Sequence, residues 1–212
     1  DIQVEGGRPS VALGRSGVEV QWTLEGLLAR SAYFGGDNFD RLRVPLRVMA
    51  TNLATGQGRL FDRGDLVEVL RASMAVPGAF RPMVVEGQQY VDGALAENIP
   101  VLAAREAFHP DVVIASDVSS PPKAEWTSNF LGLAARSLDL VIEQRQRQSL
   151  AAADIVLRPE LKDMDFLDYG GRLEDAVRAG RDAFARQEKA LASLLLGAPE
   201  GGGLVGADRL EL

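Results

Sequence analysis

The chain has 212 residues, of which 46% are hydrophobic and 25% charged, the balance of an ordinary globular domain. It has no cysteine and one histidine, His109, which excludes thiol nucleophiles, disulfides and multi-histidine metal sites. Its net charge of −7, from 23 basic and 30 acidic residues, argues against nucleic acid as a partner. The apolar runs are too short for a membrane span, and we expect no signal peptide.

Composition divides the chain into three parts. Its ends are rich in glycine and polar side chains, which predicts a flexible head over residues 1–17 and a flexible tail or linker over 197–212. Residues 18–196 carry the apolar periodicity of a folded domain. In chain order, the patterns predict a helix over 24–33, a strand over 46–53, a short strand over 59–61, a helix over 66–74, a hairpin of 84–85 with 89–91, a helix from about Pro100, a strand over 111–118, a helix over 129–150, a strand over 155–157 and a helix over 173–196.

The strand over 111–118 is the clearest buried strand. Its continuous apolar run, from Val112 to Ala115, is typical of a parallel strand that is covered on both faces. Strands that alternate with helices favour right-handed βαβ connections. The sequence therefore predicts an α/β fold with a mainly parallel sheet.

The segment 71–100 carries the most specific chemical signal. Val91 ends a predicted strand, and Asp92-Gly93 breaks it, so the carboxylate lies where open α/β sheets bind ligands. We expect Gly93 to allow a positive φ and to leave room beside the carboxylate. We also expect Asn98 to bond the nearby backbone and to cap the helix that starts near Pro100. On these grounds alone, the simpler interpretation of Asp92 is a turn residue.

Spaced residues in this segment resemble the patatin-like phospholipase family. That family has an Ala-Ser-x-Ala-x-Pro-x-x-Phe-x-Pro stretch followed by an Asp-Gly-Gly or Asp-Gly-Ala motif. The matching residues here are Ala72, Ser73, Ala75, Pro77, Phe80 and Pro82, then Asp92, Gly93 and Ala94, followed by Asn98 and Pro100. The resemblance extends from about Trp22 to about Leu157, and it is closer to the bacterial members than to the plant storage proteins.

The resemblance implies a three-layer α/β/α fold and a serine lipid acyl hydrolase of the phospholipase A or esterase type. In such enzymes a serine attacks the ester and an aspartate acts as its general base, without a catalytic histidine. By position, Asp92 is this base, and Gly93, Ala94, Asn98 and Pro77 support its motif. The family needs no metal or organic cofactor. The implied partners are a lipid or ester substrate and a membrane surface, in the bacterial cytoplasm or the cell envelope.

Two parts of the family pattern are not found upstream of Asp92: the glycine-rich oxyanion loop and the G-x-S-x-G nucleophile elbow. The closest string, residues 14–18, has Val18 where the elbow needs glycine. We interpret Ser16 as a loop serine and Ser73 as a packing or capping residue. The domain is therefore expected to be incomplete at its N-terminus, with the nucleophile outside this numbering. The alternatives are a truncated or degenerate non-catalytic module that binds lipid or a partner protein, and an esterase for small or thioester substrates.

Other polar and apolar residues have simpler interpretations. His109 precedes a strand and is expected to be a surface or cap residue. Asp117 is expected to form structural hydrogen bonds. The polar run 143–148 is expected to be a solvated helix face, with contact to another domain or to lipid head groups as the alternative. Trp126 with 130–131 is expected to anchor a helix, the alternative being an apolar lip at a lipid entrance.

Overall fold

The computed structural model describes residues 2–5, 8–11, 36–77, 80–119, 130–161 and 172–197. Its strands are β1 (Ile2–Glu5), β2 (Arg8–Val11), β3 (Val48–Asn52), β4 (Gly58–Phe61), β5 (Met83–Val85), β6 (Gln88–Asp92), β7 (Ile114–Ser116) and β8 (Ile155–Leu157). Its helices are α1 (Leu66–Ser73), α2 (Ala94–Glu97), α3 (Val101–Phe108), α4 (Phe130–Leu150) and α5 (Leu173–Gly197), with a 3-10 turn at Phe39–Arg41.

Four strands form an antiparallel sheet with the order β4-β3-β6-β5. Asp92 is the last residue of β6 in this sheet. β5 and β6 form the predicted hairpin. Its two turn residues, Glu86 and Gly87, both have positive φ, at 51° and 75°. A turn with two positive φ values follows the right-handed twist of the strands, so it joins them without splaying.

One face of this sheet is covered by α1. The helix begins at Asp65, whose carboxylate accepts hydrogen bonds from the N–H groups of Val67 and Glu68. The rings of Phe61 and Tyr90 meet edge to face, with centroids 5.2 Å apart. The buried residues of this core are Phe39, Val48, Ala50, Phe61, Leu66, Val69, Ala72, Val85 and Tyr90.

A second, smaller core forms where α3 and α4 pack on the parallel pair β7–β8. It contains Val101, Val113, Ala115 and Leu150. The predicted strand over 111–118 is shorter, and Ile114 keeps 47% of its surface exposed. The expectation that both faces are covered is therefore not met among the described residues.

The α/β class is confirmed, and the predicted helices and strands in the described ranges agree with the observed ones to within a few residues. The mainly parallel sheet is not what the described strands form. Only the β7–β8 pair is parallel there. Short connections require the antiparallel pairing of β3 with β4 and of β5 with β6, but they do not explain that of β3 with β6. The predicted helix over 24–33 lies outside the described residues.

The segment predicted as a flexible head contains the antiparallel pair β1–β2. The two residues between these strands are glycines, and Gly-Gly is a preferred hairpin dipeptide that the sequence interpretation passed over. The predicted tail lies outside the described residues, apart from Gly197 at the end of α5. In the described part of the chain, no helix combines the length and the apolarity needed to cross a membrane.

Candidate active site

Asp92 is the last residue of β6, as predicted, and three neighbours fix its position. Its backbone N–H donates to the carbonyl oxygen of Ala75 at 3.0 Å, just beyond the end of α1. Its carbonyl oxygen accepts a hydrogen bond from Thr51 Oγ1 on β3 at 2.8 Å. Its side-chain Oδ1 accepts one from the N–H of Ala94 at 2.8 Å. The backbone of Asp92 is thus held by β3 and by the segment after α1, and its carboxylate is held by the N–H of Ala94.

The electrostatic setting of Asp92 suits a proton acceptor. Burial raises the pKa of its carboxyl, and the hydrogen bond from Ala94 N–H opposes this effect. No ion pair in the described ranges involves Asp92, so no cation there stabilises its charge. A carboxylate with a raised pKa is a stronger base and transfers protons more readily near neutral pH.

Gly93 is required by a close backbone contact. A Cβ atom at this position would lie 2.3 Å from the carbonyl oxygen of Met49, a distance that real Cβ atoms do not adopt. Its φ is −62°, so the expected positive φ is wrong. The glycine allows the turn after Asp92 to cross β3 closely, and its N–H approaches the carbonyl oxygen of Ser73 at 3.4 Å.

Ala94 opens α2, and Asn98 ends it. Asn98 does not cap α3 as predicted, because its backbone continues the helical conformation of α2 (φ −62°, ψ −42°). Its Nδ2 instead donates to Gln146 Oε1 on α4 at 2.6 Å. The N-terminus of α3 is capped by the Glu97 carboxylate, which accepts from the N–H of Leu102 at 2.9 Å.

The face of α4 that meets α2 is buried and polar. Gln146 and Ser149 are 8% and 1% exposed. Within the polar run 143–148, predicted as a solvated face, Gln146 is the buried exception, while residues 144, 145, 147 and 148 are exposed. Gln146 Nε2 donates to Asp117 Oδ1 at 3.0 Å and to Ser119 Oγ at 2.9 Å. The Ser149 hydroxyl lies 2.5 Å from Glu97 Oε1.

A sequence signal for this face existed. Ile142, Gln146, Ser149 and Leu150 recur at the i, i+4, i+7, i+8 spacing of one helix face. Val141, one position before this face begins to repeat from Ile142, is 49% exposed. Gln146 and Ser149 share a helix face with the apolar Leu150, and this indicates that they hydrogen-bond to protein groups rather than to water.

Two other motif residues, Ser73 and Pro77, lie at the end of α1 and just after it. α1 ends at Ser73, and Pro77 follows in an exposed turn. Among the described residues, no hydrogen bond joins the Ser73 hydroxyl to Asp92. Ser16 and Trp126 lie outside the described residues.

Asp117 and His109 have the structural roles that the sequence indicated. Asp117 follows β7, pairs with Arg158 at 3.3 Å and accepts a hydrogen bond from Ser119 Oγ. His109 is exposed and ends α3 with a left-handed backbone (φ 46°), where its N–H donates to the carbonyl oxygen of Arg105. No hydrogen bond or ion pair of the described residues joins either side chain to Asp92.

A cleft of about 650 Å³ lies between the sheet and α3. Met49 and Leu60 contribute to its floor, and Arg47, Glu97 and Glu106 contribute charged groups. Asp92 does not line it, so the cleft gives no direct access to the carboxylate. The described residues contain no cluster of three or more acidic or histidine side chains that could hold a metal ion.

Known proteins are similar to part of this chain. Residues 16–105 match the family model of patatin-like phospholipases. Uncharacterized NTE family proteins of Mycobacterium bovis and Mycobacterium tuberculosis are 34% identical to the chain over 118 residues. The match covers 52% of this chain and 32% of each relative, so the chain spans about a third of the length of the curated relatives it matches.

Proposed function

We propose that the chain is part of a serine lipid acyl hydrolase, because residues 16–105 match the family model of patatin-like phospholipases. Asp92 is the general base of a Ser-Asp dyad. It takes the proton of the serine hydroxyl while the oxygen attacks the ester carbonyl, and it returns the proton to the leaving alcohol. It then deprotonates the water that hydrolyses the acyl-enzyme.

The observation that carries this proposal is the state of the Asp92 carboxylate. It ends a strand, it is partly buried, and among the described residues it has one hydrogen-bond donor, the N–H of Ala94, and no cationic partner. Asp154, which is more exposed than Asp92, differs in having a cationic partner, Arg105, at 2.6 Å. Keeping Asp92 unpaired costs stability, which is typical of groups that perform proton transfer.

The nucleophilic serine of the proposal lies outside this numbering, in the parent protein, by which we mean the complete polypeptide that contains this chain. The three-layer arrangement with a mainly parallel sheet belongs to that parent domain. The exposed Ile114 on the parallel pair β7–β8 supports this, since parallel strands are normally covered on both faces. The substrate class is a lipid or another carboxylic ester, presented in solution or at a membrane surface.

The experiment compares ester hydrolysis by the parent protein with that of three variants. Asp92→Asn keeps the size of the side chain and its acceptor for Ala94 N–H, but it removes the base. We expect kcat to fall by a factor of about 10²–10⁴. Ser73→Ala and Asp111→Asn, an exposed carboxylate before β7, serve as controls that retain turnover. Full activity of Asp92→Asn, or loss of activity in Ser73→Ala, would contradict the proposal.

A second candidate is a non-catalytic module that binds lipid or a partner protein. The observation that favours it is the lack, among the described residues, of a serine hydroxyl bonded to Asp92. Both proposals predict that the isolated 212-residue chain does not hydrolyse a chromogenic short-chain ester. They differ for the parent protein, where turnover that depends on Asp92 supports the hydrolase and its absence supports the binding module.

A further inference from the structure

We propose that Gln146 is a positioning residue for Asp92, because it joins the helix that follows Asp92 to the end of β7. Its Oε1 accepts from Asn98 at the end of α2, and its Nε2 donates to Asp117 after β7. The expected effect of Gln146 on the rate of ester hydrolysis rests on the proposed function. The attachment of α2 by Gln146 is a structural effect and does not depend on the proposed function.

The Asp92 carboxylate is held by the first residue of α2, Ala94, whose N–H donates to it. Ala94–Glu97 is a single helical turn, which is too short to be stable on its own. The geometry of the carboxylate therefore depends on what holds α2 from outside.

The side chains that hydrogen-bond α2 from outside come from one stretch of α4, and α2 also packs on β3 and β4. Arg145 donates to the carbonyl oxygen of Leu95 at 2.5 Å. Gln146 and Ser149 bond Asn98 and Glu97 respectively, at 2.6 Å and 2.5 Å. Every one of these bonds joins residues about 50 positions apart, so α4 attaches α2 to the rest of the molecule.

Gln146 differs from Arg145 and Ser149 in the groups that it connects. Asn98 offers a donor and Asp117 an acceptor, so the residue between them needs both an acceptor and a donor, which a glutamine amide supplies. Asp117 is itself fixed by Arg158 through its other oxygen. Gln146 thus connects α2 to an anchored charge, whereas the Ser149 hydroxyl satisfies groups within residues 97–101.

The variant Gln146→Met tests this role, because methionine has a similar length and forms none of the three hydrogen bonds. The control is Gln144→Met, an exposed position on the same helix. Hydrogen exchange of the peptide 92–98 in the parent protein is followed by mass spectrometry. We expect exchange to be about tenfold faster in Gln146→Met than in wild type, with β3 and β4 unchanged.

The kinetic readout separates positioning from simple packing. We expect kcat for ester hydrolysis to fall by about tenfold, with KM within about twofold of wild type, because the base is misplaced while the substrate still binds. Unchanged exchange of 92–98 in Gln146→Met, or equal acceleration in Gln144→Met, would overturn the proposal. Faster exchange in a parent protein without Asp92-dependent turnover supports the positioning role and contradicts only the hydrolase function.

A second variant covers the case in which Gln146→Met does not fold. Asn98→Ala removes the same bond from the other side and leaves the bond between Gln146 and Asp117 in place. We expect it to accelerate exchange of 92–98 as Gln146→Met does. Where both single variants fold, the double variant should add nothing further, because the two residues act through one bond. Normal exchange in Asn98→Ala, or additive effects, would contradict the inference.

Discussion

The backbone N–H of Ala94 donates a 2.8 Å hydrogen bond to Oδ1 of Asp92, two residues earlier in the chain. This bond orients the carboxylate but does not neutralise it. Burial raises the pKa of Asp92 in spite of it. The same local geometry therefore fixes a base in place and leaves it able to accept a proton.

The raised pKa of Asp92 predicts a stability change in Asp92→Asn. In the folded chain the proton is bound more tightly than in the unfolded chain, so stability rises as the pH falls through the folded-state pKa. Ionised Asp92 accordingly lowers the stability at neutral pH. We expect Asp92→Asn to have a higher Tm than wild type at pH 7. This advantage should disappear below the ordinary aspartate pKa of about 3.9, where Asp92 is protonated in both states.

Thermal unfolding of both proteins across this pH range measures the effect. A Tm of Asp92→Asn that is lower than wild type at pH 7 would show that Asp92 is a stabilising turn residue. That outcome would remove the main argument for its role as a base.

Asp154 gives the opposite pH dependence. Its carboxylate accepts a hydrogen bond from the N–H of Val113 and pairs with Arg105, and both interactions lower its pKa. Its contribution to stability is therefore present above the unfolded-state pKa and is lost as the pH falls through the folded-state pKa. We expect Asp154→Asn to be less stable than wild type at pH 7, with the difference shrinking on acidification. Asp111→Asn is the control, and an equal loss there would contradict the assignment.

Gly93 and Gly180 form a matched pair of glycine-to-alanine substitutions. In Gly93→Ala the new Cβ meets the Met49 carbonyl oxygen at 2.3 Å, and we expect a loss of about 1–3 kcal/mol of unfolding free energy. In Gly180→Ala the Cβ meets nothing within 4 Å inside α5, and we expect a gain of about 1 kcal/mol. Urea unfolding measures both. A stable Gly93→Ala would mean that β3 and the turn after Asp92 are not in close contact.

His109 tests whether the single histidine takes part in the chemistry. Its left-handed backbone at the end of α3 is strained for a residue with a Cβ, so His109→Gly should stabilise the fold by about 0.5–1 kcal/mol. Ester hydrolysis by the parent protein should be unchanged, because the proposed base is Asp92. Loss of turnover in a folded His109→Gly would indicate a histidine base instead.

Local features of the fold were predictable from the sequence. The hairpin around Glu86-Gly87, the start of α1 at Asp65 and the position of Asp92 at the end of a strand all follow from residues close together in the chain. Turn preferences, helix caps and apolar periodicity depend on residues a few positions apart, so they can be recognised in the local sequence.

The features that the sequence did not predict depend on distant contacts. Gly93 is explained by the Met49 carbonyl oxygen, 44 positions away, and Asn98 by Gln146, 48 positions away. The direction of pairing between β3 and β6 is likewise set by tertiary structure. The sequence around Asn98 and Gly93 does not include their contact partners, Gln146 and Met49. For this reason Asn98 was wrongly predicted to cap α3 and Gly93 to have a positive φ.

The most direct test of the central claim is labelling of the parent protein with a fluorophosphonate probe, which modifies activated serines, followed by mass spectrometry of the labelled peptide. We predict one labelled serine, outside these 212 residues, and a labelling rate about 100-fold lower in Asp92→Asn. Labelling of a serine within this chain, undiminished labelling in Asp92→Asn, or no labelling of the wild type would contradict the assignment of Asp92 as the base of a Ser-Asp dyad.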